Sequence, residues 1–267
     1  FSFTLGADQQ LRVLQLQQKR YYITVLDHAL ETLSSTEIND LKYGRDDLID
    51  LAVNDYGQYY FINGKKTQIG KLNQDLRLIP KSYFGSKNKT SNKTSFFEPS
   101  QIRVVSLKGA DYVCVLDTRH TAIKIFTEND LSGLTKLERP MYQMRPVLSK
   151  TNVAPCLDFA VWDTLSYVLS DGTMPNRKTS RQISCRDTND KKKFNIFAAS
   201  FKSEGVKSFD ALTVYKNRLY VLDKAAHRVH IFNSLDGSYE ESFGDKGKYD
   251  GAMKNPGSIV ADLRGNV

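Results

Sequence analysis

The phrase Val-Leu-Asp recurs along the chain, and two of its copies carry the same tail. Val113-Cys114-Val115-Leu116-Asp117 runs on to Ile123-Lys124-Ile125-Phe126, and Leu219-Tyr220-Val221-Leu222-Asp223 runs on to Val229-His230-Ile231-Phe232. Weaker copies fall in step: Ile23-Thr24-Val25-Leu26-Asp27, Tyr59-Tyr60-Phe61-Ile62-Asn63 and Tyr167-Val168-Leu169-Ser170-Asp171. The polar residues that close these runs stand at positions 27, 63, 117, 171 and 223. A unit repeated on that scale is the mark of a propeller, a solenoid or an array, and it restricts the fold more than composition does.

Each unit reads as short strands. A second alternating run precedes the phrase, as in Leu48-Leu51-Val53, Ile102-Val104, Leu157-Phe159-Val161 and Leu212-Val214, and turn residues such as Asp55-Tyr56-Gly57 or Lys216-Asn217 join the two into hairpins. A third strand (Ala122 to Phe126, Arg228 to Phe232) and a fourth (Tyr239 to Phe243) complete a four-stranded meander. One such sheet cannot bury both faces, so neighbouring sheets must stack around an axis.

The stretch from Leu219 to Phe243, with Gly244, Gly247, Gly251, Asn255-Pro256-Gly257-Ser258-Ile259-Val260-Ala261-Asp262 and Gly265-Asn266-Val267, resembles the NHL repeat. The match extends over residues 209–267, is weaker over 96–126, and rests on spacing elsewhere. The resemblance implies an all-β, six-bladed β-propeller of four-stranded antiparallel blades, the last one incomplete. The whole of 1–267 is then a single domain, with blades at about 11–40, 41–85, 96–145, 153–205, 207–250 and 255–267. Phe1-Ser2-Phe3-Thr4-Leu5-Gly6 resembles Ser242-Phe243-Gly244, so residues 1–6 are expected as the outer strand of the last blade, closing the ring without free edges. On this pattern the natural protein continues past Val267 and carries other domains before Phe1.

Composition agrees with a core of stacked blades: 40% of the residues are hydrophobic, and no run of 18 apolar residues offers a membrane span. The three cysteines, Cys114 and Cys156 in expected strands and Cys185 in an expected loop, have no C-x-x-C spacing. Cys114 and Cys156 read as small buried residues, and the cysteine usage points to a chain kept inside the cell, with a cytoplasmic location expected. Asn88-Lys89-Thr90 and Asn92-Lys93-Thr94 are formal glycosylation sequons, read here as part of a flexible polar insertion.

Charge is the functional clue, because 38 basic against 30 acidic residues leave a net +8. The basic positions fall in two kinds of loop. The connection between second and third strands holds Lys65-Lys66, Arg119-His120, Arg177-Lys178 with Arg181, and Lys224 with His227-Arg228. The connection between blades holds Tyr43 and Arg45, Tyr142 and Arg145, Lys207 and Phe209, and Tyr249 with Lys254 and Asn255. In an up-and-down meander both kinds of loop emerge at the same end. A positive face with interleaved rings suits single-stranded nucleic acid, where cations meet phosphates and rings stack on bases. A solvated basic surface is the plain alternative for each residue taken singly. Phe96, Phe126, Phe232 and Phe243 sit at strand positions and read as core.

Propellers of the NHL type end the TRIM-NHL proteins, which bind single-stranded, often uridine-rich RNA and repress messenger RNAs. The resemblance therefore implies an RNA-binding domain of cytoplasmic ribonucleoprotein granules, acting alone as a monomer, linked to microRNA-silencing proteins, with no cofactor and no membrane partner. Its candidate contacts here are Arg119, His120, Tyr142, Arg145, Arg177, Lys178, Lys207, Phe209, Lys224, His227, Arg228, Lys254 and Asn255. The sequence departs from the family pattern in a long Thr173 to Lys193 insertion and in first and second blades without His-Arg.

Two rival readings remain. A propeller is also a common protein-docking platform, for example a substrate or cofactor receptor in a ubiquitin-ligase-type protein. Amidating lyases share NHL-like propellers but need clustered metal-binding histidines. This chain has only His28, His120, His227 and His230, which read as structural turn and strand residues, and the chain is expected to be no enzyme.

Overall fold

A computed structural model describes residues 2–27, 29–80, 82–88, 95–107, 110–119, 122–127, 142–144, 156–176, 178–187, 191–249, 251–261 and 265–267. Both glycosylation sequons reach outside these residues. The chain divides into two compact units, Phe1–Met144 and Arg145–Val267.

In the first unit, β1 (Ser2–Leu5), β2 (Leu11–Gln17), β3 (Arg20–Leu26) and β4 (Thr32–Glu37) form one antiparallel sheet in chain order. A second sheet holds β5 (Leu48–Val53), β6 (Tyr59–Asn63) and β7 (Gln68–Leu72), with Phe84 bridging Ile69 where a fourth strand would run. A short parallel pair, β8 (Ser86–Lys87) and β9 (Ser95–Phe96), leads to the third sheet of β10 (Pro99–Leu107), β11 (Ala110–Asp117), β12 (Ala122–Thr127) and β13 (Tyr142–Met144). The second unit holds two sheets: β14 (Cys156–Trp162), β15 (Leu165–Thr173), β16 (Thr179–Asp187) and β17 (Lys192–Phe197), then β18 (Ala211–Tyr215), β19 (Arg218–Asp223), β20 (Arg228–Asn233) and β21 (Tyr239–Phe243). A 3-10 turn, Ala198–Phe201, joins them.

These are propeller blades, and the all-β expectation holds with one correction. Among the described residues there are five blades, not six. The reason lies at the first strand: Ser2–Leu5 pairs with Leu11–Leu14 as the first strand of the first blade, instead of serving as the outer strand of the last. The assignment slips in the first blade as a result. Ile23-Thr24-Val25-Leu26 lies in the third strand, and the second-strand position belongs to Val13-Leu14-Gln15. Residues 255–261 add no strand; Met253, Ile259 and Ala261 pack on the apolar face made by Ala211, Tyr220, Leu222 and Ile231, covering a surface the fifth sheet would otherwise leave wet. Cys185, expected in a loop, is buried in β16, and the expected Thr173–Lys193 insertion is largely that strand.

Apolar cores lie between successive sheets within each unit. Leu14, Ile23, Leu51, Phe61 and Leu72 fill the space between the first two sheets, and Tyr60, Ile62, Phe84, Phe96, Val115 and Phe126 that between the second and third. In the second unit Tyr167, Leu169 and Cys185 meet Phe209, Val221 and Phe232. The central strands of the repeat are thus the most buried, as their Val-Leu pairs require: Val115, Leu116, Val221 and Leu222 are all out of solvent.

First strands of neighbouring blades are tied by buried polar side chains. Asp50 accepts the Ile102 N–H at 2.8 Å and Arg103 Nη1 at 3.0 Å, and Asp158 accepts the Leu212 N–H at 2.8 Å. Ser2 Oγ sits at the matching position, donating to Asp50 and accepting the Leu51 N–H. Each tie satisfies a buried N–H that has no strand partner on that side.

Candidate nucleic-acid interface

In the second, third and fifth blades the polar residue that ends the second strand fastens the loop that leads into the blade. Asp223 accepts the N–H groups of Lys207 at 2.6 Å and Ser208 at 3.0 Å, together with that of Ala226 at 2.7 Å in its own turn. Asp117 accepts those of Phe97 and Glu98, each at 3.0 Å. Asn63 accepts the Asp47 N–H at 3.4 Å and donates to Asp46 at 2.9 Å. The two kinds of basic loop therefore do emerge together within each of these blades, as the meander requires. The repeated aspartate is a structural clasp: a buried carboxylate is tolerated only where several N–H groups point at it.

At the fifth blade this clasp gathers cations. The turn Lys224-Ala225-Ala226-His227 closes with His227 in the left-handed region (φ 56°), the conformation Thr67 (φ 55°) takes in the same turn of the second blade. Histidine tolerates that region better than a β-branched residue does. Lys207 Nζ donates to the Ala225 carbonyl at 3.3 Å, which draws the lead-in segment onto the turn. Arg228, half-buried, starts β20, and its guanidinium lies against Gly205: a Cβ there would stand 3.8 Å from Nη1. Val229 pairs with Phe243, whose ring is 43% exposed at the end of the outer strand. On the far side, Gly244 comes within 3.4 Å (measured from an added Cβ) of the His227 carbonyl, so the 244–253 loop flanks the same turn.

Several basic residues elsewhere are held by partners. Lys66 and Arg45 both reach Asp46, at 2.8 and 3.2 Å, and Lys65 donates to the Gly44 carbonyl. Asp46 is held at a pKa of about 2: burial alone would raise it, and Lys66, the Lys42 N–H, Arg45 and Asn63 outweigh that. Arg119 pairs with Glu98 at 2.7 Å and Arg181 with Asp171 at 3.0 Å. Lys124, fully buried, stands 3.4 Å from Asp117, and burial drives its pKa down despite that partner. Among the described residues, Lys207, Lys224 and Arg228 have no carboxylate within ion-pair distance.

The expected contacts divide accordingly. Lys207, Lys224, His227 and Arg228 are brought together, and Lys254 and Asn255 are exposed on the segment that follows the flanking loop. Lys178 is exposed in the β15–β16 turn. Phe209 is a correction: it is fully buried, edge-on to Phe232 at 5.7 Å, and offers no face for stacking. Tyr142 lies in β13, paired with Ile125, rather than in a loop. Arg119 is exposed but spent on Glu98. His120, Arg145 and Arg177 lie outside the described residues. Phe243, read as core, is exposed. The signal was its place as the last residue of an outer strand, which no further strand covers. Tyr249, 61% exposed, donates its hydroxyl to Asp245 in the flanking loop. Among the described residues, no group of three or more His, Cys, Asp or Glu side chains is arranged to hold a metal ion.

No protein-family model matches the chain, and no curated protein matches it. Solved structures do. A hydrazine synthase of Kuenenia stuttgartiensis is 11% identical with a TM-score of 0.57, over 99% of this chain and 90% of that one. A streptogramin B lyase is 15% identical with a TM-score of 0.56, over 99% and 88%. A chain of a nidogen/laminin complex is 13% identical with a TM-score of 0.54, over 91% and 78%. At these identities the likeness shows the fold alone, a β-propeller.

Proposed function

We propose that the chain is an NHL-type propeller that binds single-stranded RNA at the loop end of its fifth blade and acts in post-transcriptional repression in the cytoplasm, without catalysis. The observation that carries this reading is the contrast in ion pairing. Lys66, Arg45 and Arg119 are ion-paired with carboxylates, whereas the side chains of Lys207, Lys224 and Arg228 converge on one turn without an ion pair, the neighbouring Asp223 and Asp210 carboxylates being taken up by backbone N–H groups. A phosphate chain supplies the missing anions, and the exposed ring of Phe243, at the end of the outer strand on the Val229 face of the same blade, offers a base a stacking surface. The preference for uridine, and the link to messenger-RNA silencing, rest on the resemblance to TRIM-NHL proteins.

Fluorescence anisotropy with labelled oligo-U and oligo-A at about 50 and 200 mM salt tests the reading. Three phosphate contacts on a single strand predict a log–log salt slope of about −2 or steeper, with oligo-U the tighter ligand. Absence of binding to either oligomer at the lower salt would overturn it and favour a protein-docking platform.

A further inference from the structure

The β15–β16 hairpin of the fourth blade is longer than its counterparts. In the fifth blade the pairing of second and third strands ends at Asp223 with Arg228, in the third at Asp117 with Ala122, and in the second at Asn63 with Gln68. In the first it passes the equivalent residue, Gln15, by two pairs to reach Gln17 with Arg20, and in the fourth it passes Ser170 by three, through Asp171 with Arg181, Gly172 with Ser180 and Thr173 with Thr179. At about 3.3 Å per residue, the hairpin stands roughly 10 Å beyond the ordinary loop level.

This projection is braced. Arg181 Nε meets Asp171 at 3.0 Å across the two strands, and Gly172 leaves room for the Gln182 side chain, which a Cβ would overlap. The turn closes with the Met174 N–H donating to the Lys178 carbonyl at 2.9 Å. One rung from the turn, Ser180 Oγ accepts the Ala199 N–H at 3.1 Å. That bond fastens the hairpin to the 198–210 segment, which carries Lys202 and Lys207 and passes Arg228 at Gly205. With Arg181 matched by Asp171, Lys178 is the exposed cation that the described part of the tip adds.

We propose that this hairpin is a second wall of the RNA site, extending the path of the bound strand from the fifth blade to Lys178 and so setting the length of RNA the chain recognises. The inference rests on the RNA-binding reading above. A hairpin hydrogen-bonded through Ser180, two residues from Lys178, to the segment bearing Lys207 holds Lys178 at a fixed offset from the fifth-blade cluster. A short oligomer satisfies the cluster alone, whereas a longer one also reaches the hairpin.

The test compares oligo-U of about 4 and about 12 nucleotides, lengths within the range a basic groove spans, on the wild-type chain, Lys178→Ala and Ser180→Ala. Lys178→Ala is expected to leave the short oligomer unchanged, to weaken the long one about five- to tenfold at low salt, and to reduce its salt slope by about 0.7, the value of one single-strand phosphate contact. Ser180→Ala, which loosens the brace without removing charge, is expected to weaken the long oligomer less and leave its slope within about 0.3. Unchanged thermal melts for both variants separate these effects from misfolding. Wild-type binding with identical slopes for Lys178→Ala at both lengths overturns the hairpin proposal while leaving the fifth-blade site standing. No wild-type binding to either length overturns both.

Discussion

His230 Nε2 lies 3.5 Å from Asp223 Oδ2, with both side chains fully out of solvent. The same slot joins Asp117 to Lys124 at 3.4 Å in the third blade and Gln15 to Thr24 at 3.1 Å in the first. The first, third and fifth blades thus place a polar residue towards the end of the second strand opposite one on the third, but the chemistry of the pair differs. In the fifth blade the clasp also holds the loop of Lys207 and Ser208, so the stability of the fold and the shape of the basic cluster share one residue.

Replacing Asp223 with Ala leaves the N–H groups of Lys207, Ser208 and Ala226 without their acceptor and His230 without its partner. We expect a loss of about 2–4 kcal/mol in urea unfolding, the scale for leaving buried N–H donors without their charged acceptor. A loss below about 1 kcal/mol would mean that the clasp is not what holds the lead-in segment.

Acid should unfold the protein through two of these carboxylates. For Asp223, burial works to raise the pKa, while His230 and the N–H groups of Ser208, Lys207 and Ala226 bring it down to about 2; Asp46 sits at a similar value. Both are depressed below the ordinary value of about 3.9, so their contribution is fully present above pH 4 and is lost as pH falls from about 4 to about 2. Melting temperature followed from pH 6 to 2 is expected to drop in that window, with a shallower fall in Asp46→Asn and Asp223→Asn.

Charge and ring substitutions should separate binding from folding. Lys224→Ala is expected to flatten the salt dependence of RNA binding by about 0.7 with little change in stability, and Arg119→Ala to do neither, since Glu98 already neutralises that guanidinium. Phe209→Ala removes a buried ring from the core between the fourth and fifth blades and should cost about 3–5 kcal/mol. Anisotropy and chemical denaturation on the same three variants check the assignment.

Gly70 occupies the third-strand position that holds Thr24, Lys124 and His230 in other blades, and the Phe61 ring fills the space that a side chain would take. Gly70→Ala is therefore expected to destabilise by about 1–3 kcal/mol, the range for overpacking a filled core. Phe61→Leu in the same chain should recover part of that loss, which a double-mutant cycle measures.

Much of the fold was legible because a propeller blade is a local structure. The Val-Leu runs, the polar residue that ends them and the turn residues between strands all act within a few tens of residues. Periodicity therefore pointed to a succession of four-stranded antiparallel meanders. The first blade was misread for the same reason. Val25-Leu26-Asp27 imitates the phrase, and only the pairing of Ser2–Leu5 with Leu11–Leu14 shows that Val13-Leu14-Gln15 holds the repeat position.

The sequence by itself determined that the chain is built of short antiparallel meanders with basic loops at one end of each. Tertiary structure decided which charges are available. Whether a lysine is free or spent depends on carboxylates brought from other loops, Asp46 beside Lys66 and Glu98 beside Arg119, and whether a phenylalanine is core or surface depends on what lies over its strand. These are contacts across sequence distances of about 20 residues or more, which hydrophobic patterning does not encode. Packing leaves the side chains of Lys207, Lys224 and Arg228 without ion pairs and Phe243 exposed.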